Sequence, residues 1–162
     1  LRYEDIVRFA ELGVIPSMQA THATSDKNMA VDRIGDVRIQ GAYAWRKLMD
    51  AGALIANGSD FPVESPNPFF GLHASITRQD KDNDPVGGWY PEERMTDSEA
   101  FASFTLDAAY SGFQETLLGS LEPGKKADFI VLDRDIFAIP DSEIWQAKAL
   151  ETWVNGKQVH GE

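Results

Sequence analysis

The chain has 162 residues, of which 43% are hydrophobic, so it can bury a core and global disorder is disfavoured. Its 15 Lys and Arg residues against 26 Asp and Glu residues leave a net charge of −11, which disfavours nucleic acid and anionic membranes as partners. No apolar run approaches the roughly 20 residues of a membrane span. The absence of cysteine excludes disulfides and thiolate metal sites.

The first half of the chain alternates stretches of helical and of strand periodicity. Ser25 or Asp26 is suited to cap a helix, and Pro68 is suited to open one. Alternation of this kind predicts a parallel sheet with crossover helices. The predicted segments are a helix over 3–13, a strand over 14–19, a helix from about Lys27, a helix from Val37 to Ala51, a strand over 53–57 and a helix over 69–79.

The sequence pattern changes in the second half of the chain. Residues 81–92 show no periodicity and predict a loop, after which Thr96 and Glu99 form a capping-box pair. That pair opens a predicted helix over 97–104, and a short helix is predicted over 106–113.

Residues beyond 119 predict β structure. A Pro-Gly turn leads into an apolar strand over 129–133, and two further strands flank Asn155-Gly156 within 151–160. We therefore predict an α/β region over residues 1–118 and a smaller β-rich unit over residues 119–162.

Two predicted strands each lead into a side chain that can bind a divalent cation. His22 follows the first strand and Asp60 follows the second. In α/β barrels and open α/β sheets, the carboxyl ends of parallel strands share one face, and chemistry collects there. Imidazole and carboxylate suit zinc. Taken singly, His22 is more simply a hydrogen-bonded structural residue and Asp60 a turn former, and the sequence leaves both interpretations open.

Three motifs, "MQATHATSD", "NGSDFPVESPNP" and "GSLEPGKKADFIVLDRD", resemble the C-terminal part of amidohydrolase-superfamily enzymes. The most similar group is the Amidohydro_3 (YtcJ-like) metal-dependent hydrolases, and the resemblance covers essentially the whole chain. It implies the C-terminal part of a (β/α)8 TIM-like barrel over residues 1–118. It also implies part of a small β-sandwich domain over residues 119–162.

The resemblance further implies hydrolysis of carbon–nitrogen bonds in small amide-type substrates, with one or two divalent ions, usually zinc. By position, His22 matches a metal-ligand histidine assigned to the end of the sixth barrel strand, and Asp60 matches the aspartate of the last strand. In the family this aspartate contacts metal and takes the proton of the attacking water.

The family's other ligands have no counterpart in this chain, and its seventh strand is hard to place between His22 and Asp60. Two ligands do not complete a tetrahedral zinc site. We therefore expect a C-terminal fragment of a longer enzyme, inactive alone, whose remaining N-terminal part completes the site.

Several other polar and aromatic residues are candidates for supporting roles. Asp26 and Glu64 lie in the resembled motifs and are candidates to support the metal ligands, with capping and turn formation as alternatives. Arg78, Trp89 and Tyr90 are candidates for substrate contact from loops above the barrel, with packing at its rim as the alternative.

Two other functions compete with the hydrolase. The first is a non-catalytic scaffold or regulatory protein that keeps the amidohydrolase fold, and the presence of both His22 and Asp60 disfavours it. The second is a self-standing α/β binding module, which the exposed edges of so few strands disfavour. The other two histidines, His73 and His160, are expected to be structural or solvent-exposed.

Overall fold

The structure, a computed structural model, describes residues 1–161; Glu162, the last residue of the predicted β-rich unit, lies outside the described residues. Its helices are α1 (Ile6–Glu11), α2 (Ala20–Asp26), α3 (Ala30–Arg38), α4 (Trp45–Asp50), α5 (Pro68–Thr77), α6 (Asp97–Phe104) and α7 (Leu106–Ser111). Its strands are β1 (Ser17–Met18), β2 (Ala56–Asn57), β3 (Phe129–Leu132), β4 (Ala149–Val154) and β5 (Lys157–His160). Short 3-10 turns occupy Tyr3–Asp5, Ile39–Gly41, Pro91–Glu93 and Asp141–Gln146.

The first two strands form a parallel pair. Ser17 lies opposite Ala56 and Met18 opposite Asn57, and the backbone N–H of Gly58 donates to the Met18 carbonyl at 3.0 Å. Both strands fall inside the predicted segments, although each pairs over only two residues. The fold is therefore mixed α/β, while its membership of a closed barrel stays a prediction.

The predicted helices over residues 27–51 were wrong in their boundaries. Helix α2 ends at Asp26, so Ser25 and Asp26 lie in its last turn and cap nothing. No continuous helix runs from Val37 to Ala51, because Ala42 is extended and Tyr43 adopts a φ of 52° before α4. Further upstream, Gly35 adopts a φ of 75° inside α3, which is not helical either.

Helices α5 and α6 begin where the sequence predicted. Pro68 opens α5, and the Asn67 side chain accepts a hydrogen bond from the Phe69 N–H at 3.0 Å. Thr96 and Glu99 form the predicted capping box at the start of α6. Local hydrogen-bond chemistry therefore fixed both helix starts without help from distant parts of the chain.

The core lies between the helices and the parallel strand pair. It joins apolar side chains of α2, α4, α5 and α6 to Ile55 just before β2, and these side chains are almost fully shielded from solvent. The most deeply buried members are Ala20, Ala23, Ala44, Trp45, Leu48, Ile55, Ala74, Ala100 and Ile144.

The last part of the chain forms a three-stranded antiparallel sheet in the order β3-β4-β5. Asn155 and Gly156 both adopt positive φ at the β4–β5 turn, as the sequence predicted for a hairpin. No strand forms over residues 119–128, although β structure was predicted there. The segment between β3 and β4 returns to the helices, because Ile144 joins the core beside α5.

Among the described residues, no helix combines the length and the apolar character that crossing a bilayer requires.

An ion pair between α4 and α6 generates a stability prediction. Both guanidinium amino groups of Arg46 donate to the carboxylate of Glu99, and this interaction lowers the pKa of Glu99 to about 2. Glu99→Gln keeps the acceptor for the capping box and removes the charge, so it should lower the free energy of unfolding by about 1 kcal/mol at pH 7. The loss should be measured by urea unfolding.

Asp50→Asn is the matched control, because Asp50 contacts the same Arg46 at 3.3 Å from an exposed position and should cost less than about 0.5 kcal/mol. A depressed pKa stabilises the fold above the ordinary carboxyl pKa, and the stabilisation is lost as pH falls toward about 2. The difference between wild type and Glu99→Gln should therefore shrink at pH 3. A difference that is constant with pH would show that the ion pair does not cause it.

Candidate active site

The parallel strand pair brings His22 and Asp60 together. His22 Nε2 lies 4.0 Å from Asp60 Oδ2, with the two side chains 26% and 56% exposed. Each residue follows one strand of the pair by a few positions, so adjacent strands deliver both side chains to the same edge. The two predicted site residues therefore share one location.

Local backbone geometry directs each side chain. His22 lies in the first turn of α2, where its backbone N–H donates to the Gln19 carbonyl at 3.1 Å, and not at a strand end as expected. Asp60 adopts a φ of 56°, and its carbonyl accepts a hydrogen bond from the Val63 N–H at 2.8 Å. A left-handed conformation is uncommon for a residue other than glycine and recurs where a side chain is held for function.

If the strand pair belongs to a closed barrel, the direct pairing of β1 with β2 disagrees with the predicted assignment of His22 to the sixth strand. In a closed barrel the sixth and eighth strands are separated by the seventh, whereas β1 and β2 are hydrogen-bonded neighbours. If Asp60 follows the last strand, His22 follows the seventh. No separate strand has to fit between them, which removes the difficulty that the spacing had raised.

The donor atoms fit part of a cation site. His22 Nε2 is buried and has no hydrogen-bond partner among the described residues, so it is an orphaned polar atom facing a carboxylate. Its separation of 4.0 Å from Asp60 Oδ2 is too long for a hydrogen bond and exceeds by about half an ångström the ~3.4 Å between two ligand atoms on a tetrahedral zinc, so the two side chains would close slightly around a cation.

The set is not complete within residues 1–161, where no group of three His, Cys, Asp or Glu side chains is placed to hold a metal ion. A structural zinc site uses four protein ligands and a catalytic one three. A cation at this position would need further ligands besides His22 and Asp60.

A hydrogen bond links the two elements that carry these residues. The Ser25 hydroxyl donates to Glu64 Oε1 at 2.5 Å, which ties α2 to the loop that follows Asp60. Ser25 lies three residues after His22, and Glu64 lies four after Asp60. Glu64 is therefore placed to support the site, and its role as a supporting residue stays a prediction.

Asp26 anchors the other side of α2. Its carboxylate accepts a hydrogen bond from the Tyr43 hydroxyl at 2.5 Å, and burial together with this contact raises the pKa of Tyr43. Asp26 lies one helical turn from His22, so this bond restrains the helix that carries the imidazole. The structure thus gives Asp26 a tertiary partner, where the sequence also allowed a capping role.

The three candidates for substrate contact lie in one aromatic cluster. The Arg78 guanidinium is buried 4.1 Å from the Trp45 ring centroid and 5.2 Å from that of Trp89, and burial lowers its pKa. It donates to the Trp89 and Tyr43 carbonyls, while Tyr90 packs edge-on against Trp89. This arrangement favours packing, the alternative that the sequence left open, over substrate contact.

The remaining histidines lie apart from the site. His73 is 1% exposed and its two ring nitrogens contact the Asp141 and Asp80 carbonyls at 2.9 and 3.0 Å, which is a structural role as expected. His160 is exposed at the end of β5.

Sequence reasoning missed a large polar cleft beside α2. It has a volume of about 500 Å³, and Thr21, Lys27 and Trp145 are among its lining residues. Nothing in the spacing of these residues signals a cleft, because Trp145 lies more than a hundred positions after Lys27 and joins it only through the fold.

Comparison with known proteins identifies the family. The sequence profile of the amidohydrolase family matches residues 1–160. The chain therefore belongs to the amidohydrolase family, whose members are hydrolases acting on carbon–nitrogen bonds.

The curated relatives that match this chain are much longer than it is. It is 32% identical over 154 residues to Protein LONG AFTER FAR-RED 3 of Arabidopsis thaliana, covering 94% of the chain and 26% of that protein. It is 30% identical over 157 residues to the putative amidohydrolase YtcJ of Bacillus subtilis, covering 97% of the chain and 30% of that protein. The chain thus spans less than a third of either relative.

Two further likenesses name an activity. The chain is 30% identical over 111 residues to the N-substituted formamide deformylase of Arthrobacter pascens, covering 68% of the chain and 20% of that enzyme. Its fold matches an uncharacterized metal-dependent hydrolase from Pyrococcus horikoshii with a TM-score of 0.76 and 28% identity, covering 87% of the chain and 28% of that structure.

The Ser25–Glu64 bond generates a test of how the site is held. Glu64→Ala removes the acceptor and should increase backbone hydrogen exchange in residues 58–65, because the loop loses its bond to α2. Glu64→Gln keeps an acceptor oxygen and should exchange nearly as slowly as the wild type. Hydrogen–deuterium exchange read by mass spectrometry gives the measurement.

Glu122→Ala is a control, since Glu122 is an exposed carboxylate whose ion pair lies in a different loop. Unchanged exchange in Glu64→Ala would mean that the Ser25 bond does not hold the Asp60 loop.

Proposed function

We propose that the chain is the C-terminal part of a metal-dependent amidohydrolase that cleaves a carbon–nitrogen bond of a small amide-type substrate. The observation that carries the proposal is the orphaned His22 Nε2 facing the Asp60 carboxylate at 4.0 Å, in a chain of the amidohydrolase family. The likeness to a formamide deformylase supports the amide-type substrate.

The same proposal extends to architecture. The β1–β2 pair with its flanking helices would be the last two units of a (β/α)8 barrel, and the sheet β3-β4-β5 would be part of a small β-sandwich domain. The chain spans 28% of the metal-dependent hydrolase whose fold it matches, which supports a longer parent protein.

His22 Nε2 and an Asp60 carboxylate oxygen would hold a divalent cation, with zinc the best match to an imidazole–carboxylate pair. When bound, such a cation would polarise a substrate carbonyl and lower the pKa of a water to about 7. The remaining ligands would come from the N-terminal part of the same enzyme.

Asp60 would also handle the proton. Its side chain is 56% exposed, so water and substrate have access to the free carboxylate oxygen. That oxygen takes a proton from the attacking water and returns it to the leaving nitrogen, which departs as a neutral amine. His22 is more shielded, at 26% exposure. It would act as a ligand that fixes the position of the cation relative to Asp60.

Replacing Asp60 tests the catalytic role in the full-length enzyme. Asp60→Asn keeps the shape of the side chain and removes the proton acceptor, so kcat for an N-acyl or N-formyl amide should fall by at least ~100-fold. The circular dichroism spectrum of Asp60→Asn should match that of the wild type, because the fold is unchanged. Asp36→Asn, at an exposed position on α3, is the matched control and should retain activity.

Turnover by Asp60→Asn within a few-fold of wild type would place the base elsewhere. A wild-type protein that binds zinc but hydrolyses none of a broad amide panel would favour the non-catalytic scaffold.

The chain alone generates a second test. Residues 1–162 supply two of the three or more ligands that a catalytic zinc takes, so calorimetry should find only weak zinc binding and no hydrolase activity. His22→Ala should abolish the residual binding. His160→Ala, at an exposed site on β5, should leave it intact. Tight zinc binding that survives His22→Ala would contradict the proposed site.

A further inference from the structure

The cleft beside α2 has the size and the unsatisfied groups of a ligand site. Its volume is about 500 Å³, and it lies between α2, α5, the loop 79–84 and Trp145. Small-molecule sites usually enclose about 300–1,000 Å³. Five separate segments of the chain build its walls, these four and the loop at Glu64 and Ser65, so the tertiary fold forms it and no single flexible loop defines it.

Two hydrogen-bonding groups in this lining are buried without a partner. Thr21 Oγ1 and Trp145 Nε1 are both shielded and neither has a hydrogen-bond partner among the described residues. An indole N–H can only donate, and a hydroxyl can donate as well. Buried groups left unsatisfied are costly, so this pair favours a ligand that presents hydrogen-bond acceptors.

Charge in the lining excludes an anionic ligand. Its two ammonium groups are both paired, Lys27 with Asp80 at 2.5 Å and Asp84 at 2.7 Å, and Lys81 with Asp82 at 3.0 Å. Glu64 adds a further carboxylate to the wall. An anion would meet these carboxylates with no free cation to offset them, whereas a neutral molecule would not.

The cleft adjoins the candidate active site. Thr21 immediately precedes His22, and Glu64, which lies on the cleft wall, follows Asp60 by four residues and is bonded to Ser25 on the same wall. A substrate whose reacting amide lay between His22 and Asp60 could extend its non-reacting part into this space. Phe70 and the Trp145 ring offer apolar surface there.

We propose that this cleft is a subsite for the non-reacting part of a neutral substrate, recognised through an acceptor oxygen by Thr21 and Trp145. The assignment of the ligand as a substrate rests on the proposed hydrolase function. Binding of a neutral carbonyl compound in the cleft is independent of that function and can be measured without turnover.

The probe is acetanilide, which is neutral and carries one carbonyl and one ring, and the anionic comparison is phenylacetate. Full-length protein carrying Asp60→Asn and 5-fluorotryptophan is titrated at millimolar concentration and followed by ¹⁹F NMR, with the Trp145 resonance assigned through Trp145→Phe. Trp153 is the internal control, because its Nε1–H already donates to Glu151 at 2.7 Å.

Acetanilide should move the Trp145 resonance and leave that of Trp153 in place, and phenylacetate should move neither. Thr21→Val should weaken acetanilide binding about fivefold through loss of one hydrogen bond, and Thr21→Ser should restore it.

A Trp145 resonance that acetanilide does not move, or equal binding of phenylacetate, overturns the subsite. Because the measurement is made in the Asp60→Asn background, failure here is distinct from failure of the hydrolase proposal. In the wild type, loss of the Thr21 hydroxyl should raise KM for a substrate with a second acceptor and leave kcat nearly unchanged.

Discussion

The direct pairing of β1 with β2 is the constraint on which the rest of the site depends. Two residues in each strand, Ser17 and Met18 against Ala56 and Asn57, set the register between segments almost forty positions apart. Because the strands run parallel, α2 and the loop after Asn57 leave the sheet at the same edge. A slip of one residue would turn the strand side chains to the opposite face and move α2 relative to Asp60.

Hydrogen bonds then restrain the helix and the loop that carry the two site residues. Helix α2 is fastened on one side by Asp26 to Tyr43 and on another by Ser25 to Glu64, so the segment that carries His22 is restrained at both. Tyr43 is itself held, because its carbonyl accepts from the buried Arg78. The site thus rests on a chain of specific hydrogen bonds that reaches the core, while His22 Nε2 has no hydrogen-bond partner among residues 1–161 and faces the Asp60 carboxylate.

Sequence patterns predicted those parts of the fold that local chemistry decides. The capping box at Thr96, the proline at the start of α5 and the Asn155-Gly156 turn each depend on residues within a few positions of one another. The predicted helix from Val37 to Ala51 failed because the break around Gly41 and Tyr43 depends on tertiary contacts, such as those of Tyr43 with Asp26 and Arg78. At Gly41, for example, a Cβ would lie 2.4 Å from the Leu1 carbonyl oxygen, a contact between distant parts of the chain.

The candidate site was predictable in part, again where local sequence carries the information. His22 and Asp60 could be found because each follows an apolar segment and lies in a motif that resembles the amidohydrolases. The pairing of β1 with β2, the Ser25–Glu64 bond and the unsatisfied Trp145 indole could not, because each joins residues far apart in sequence. The resemblance supplied candidate residues, and the strand pairing shows that the segments carrying them are direct neighbours.

The central claim is that His22 and Asp60 bind one cation. The most direct measurement is a crystal structure of the zinc-loaded full-length protein with anomalous data collected at the zinc edge. The account predicts an anomalous peak about 2.0–2.2 Å from both His22 Nε2 and an Asp60 carboxylate oxygen. A fully occupied zinc that contacts Asp60 but leaves His22 Nε2 beyond bonding distance would contradict it.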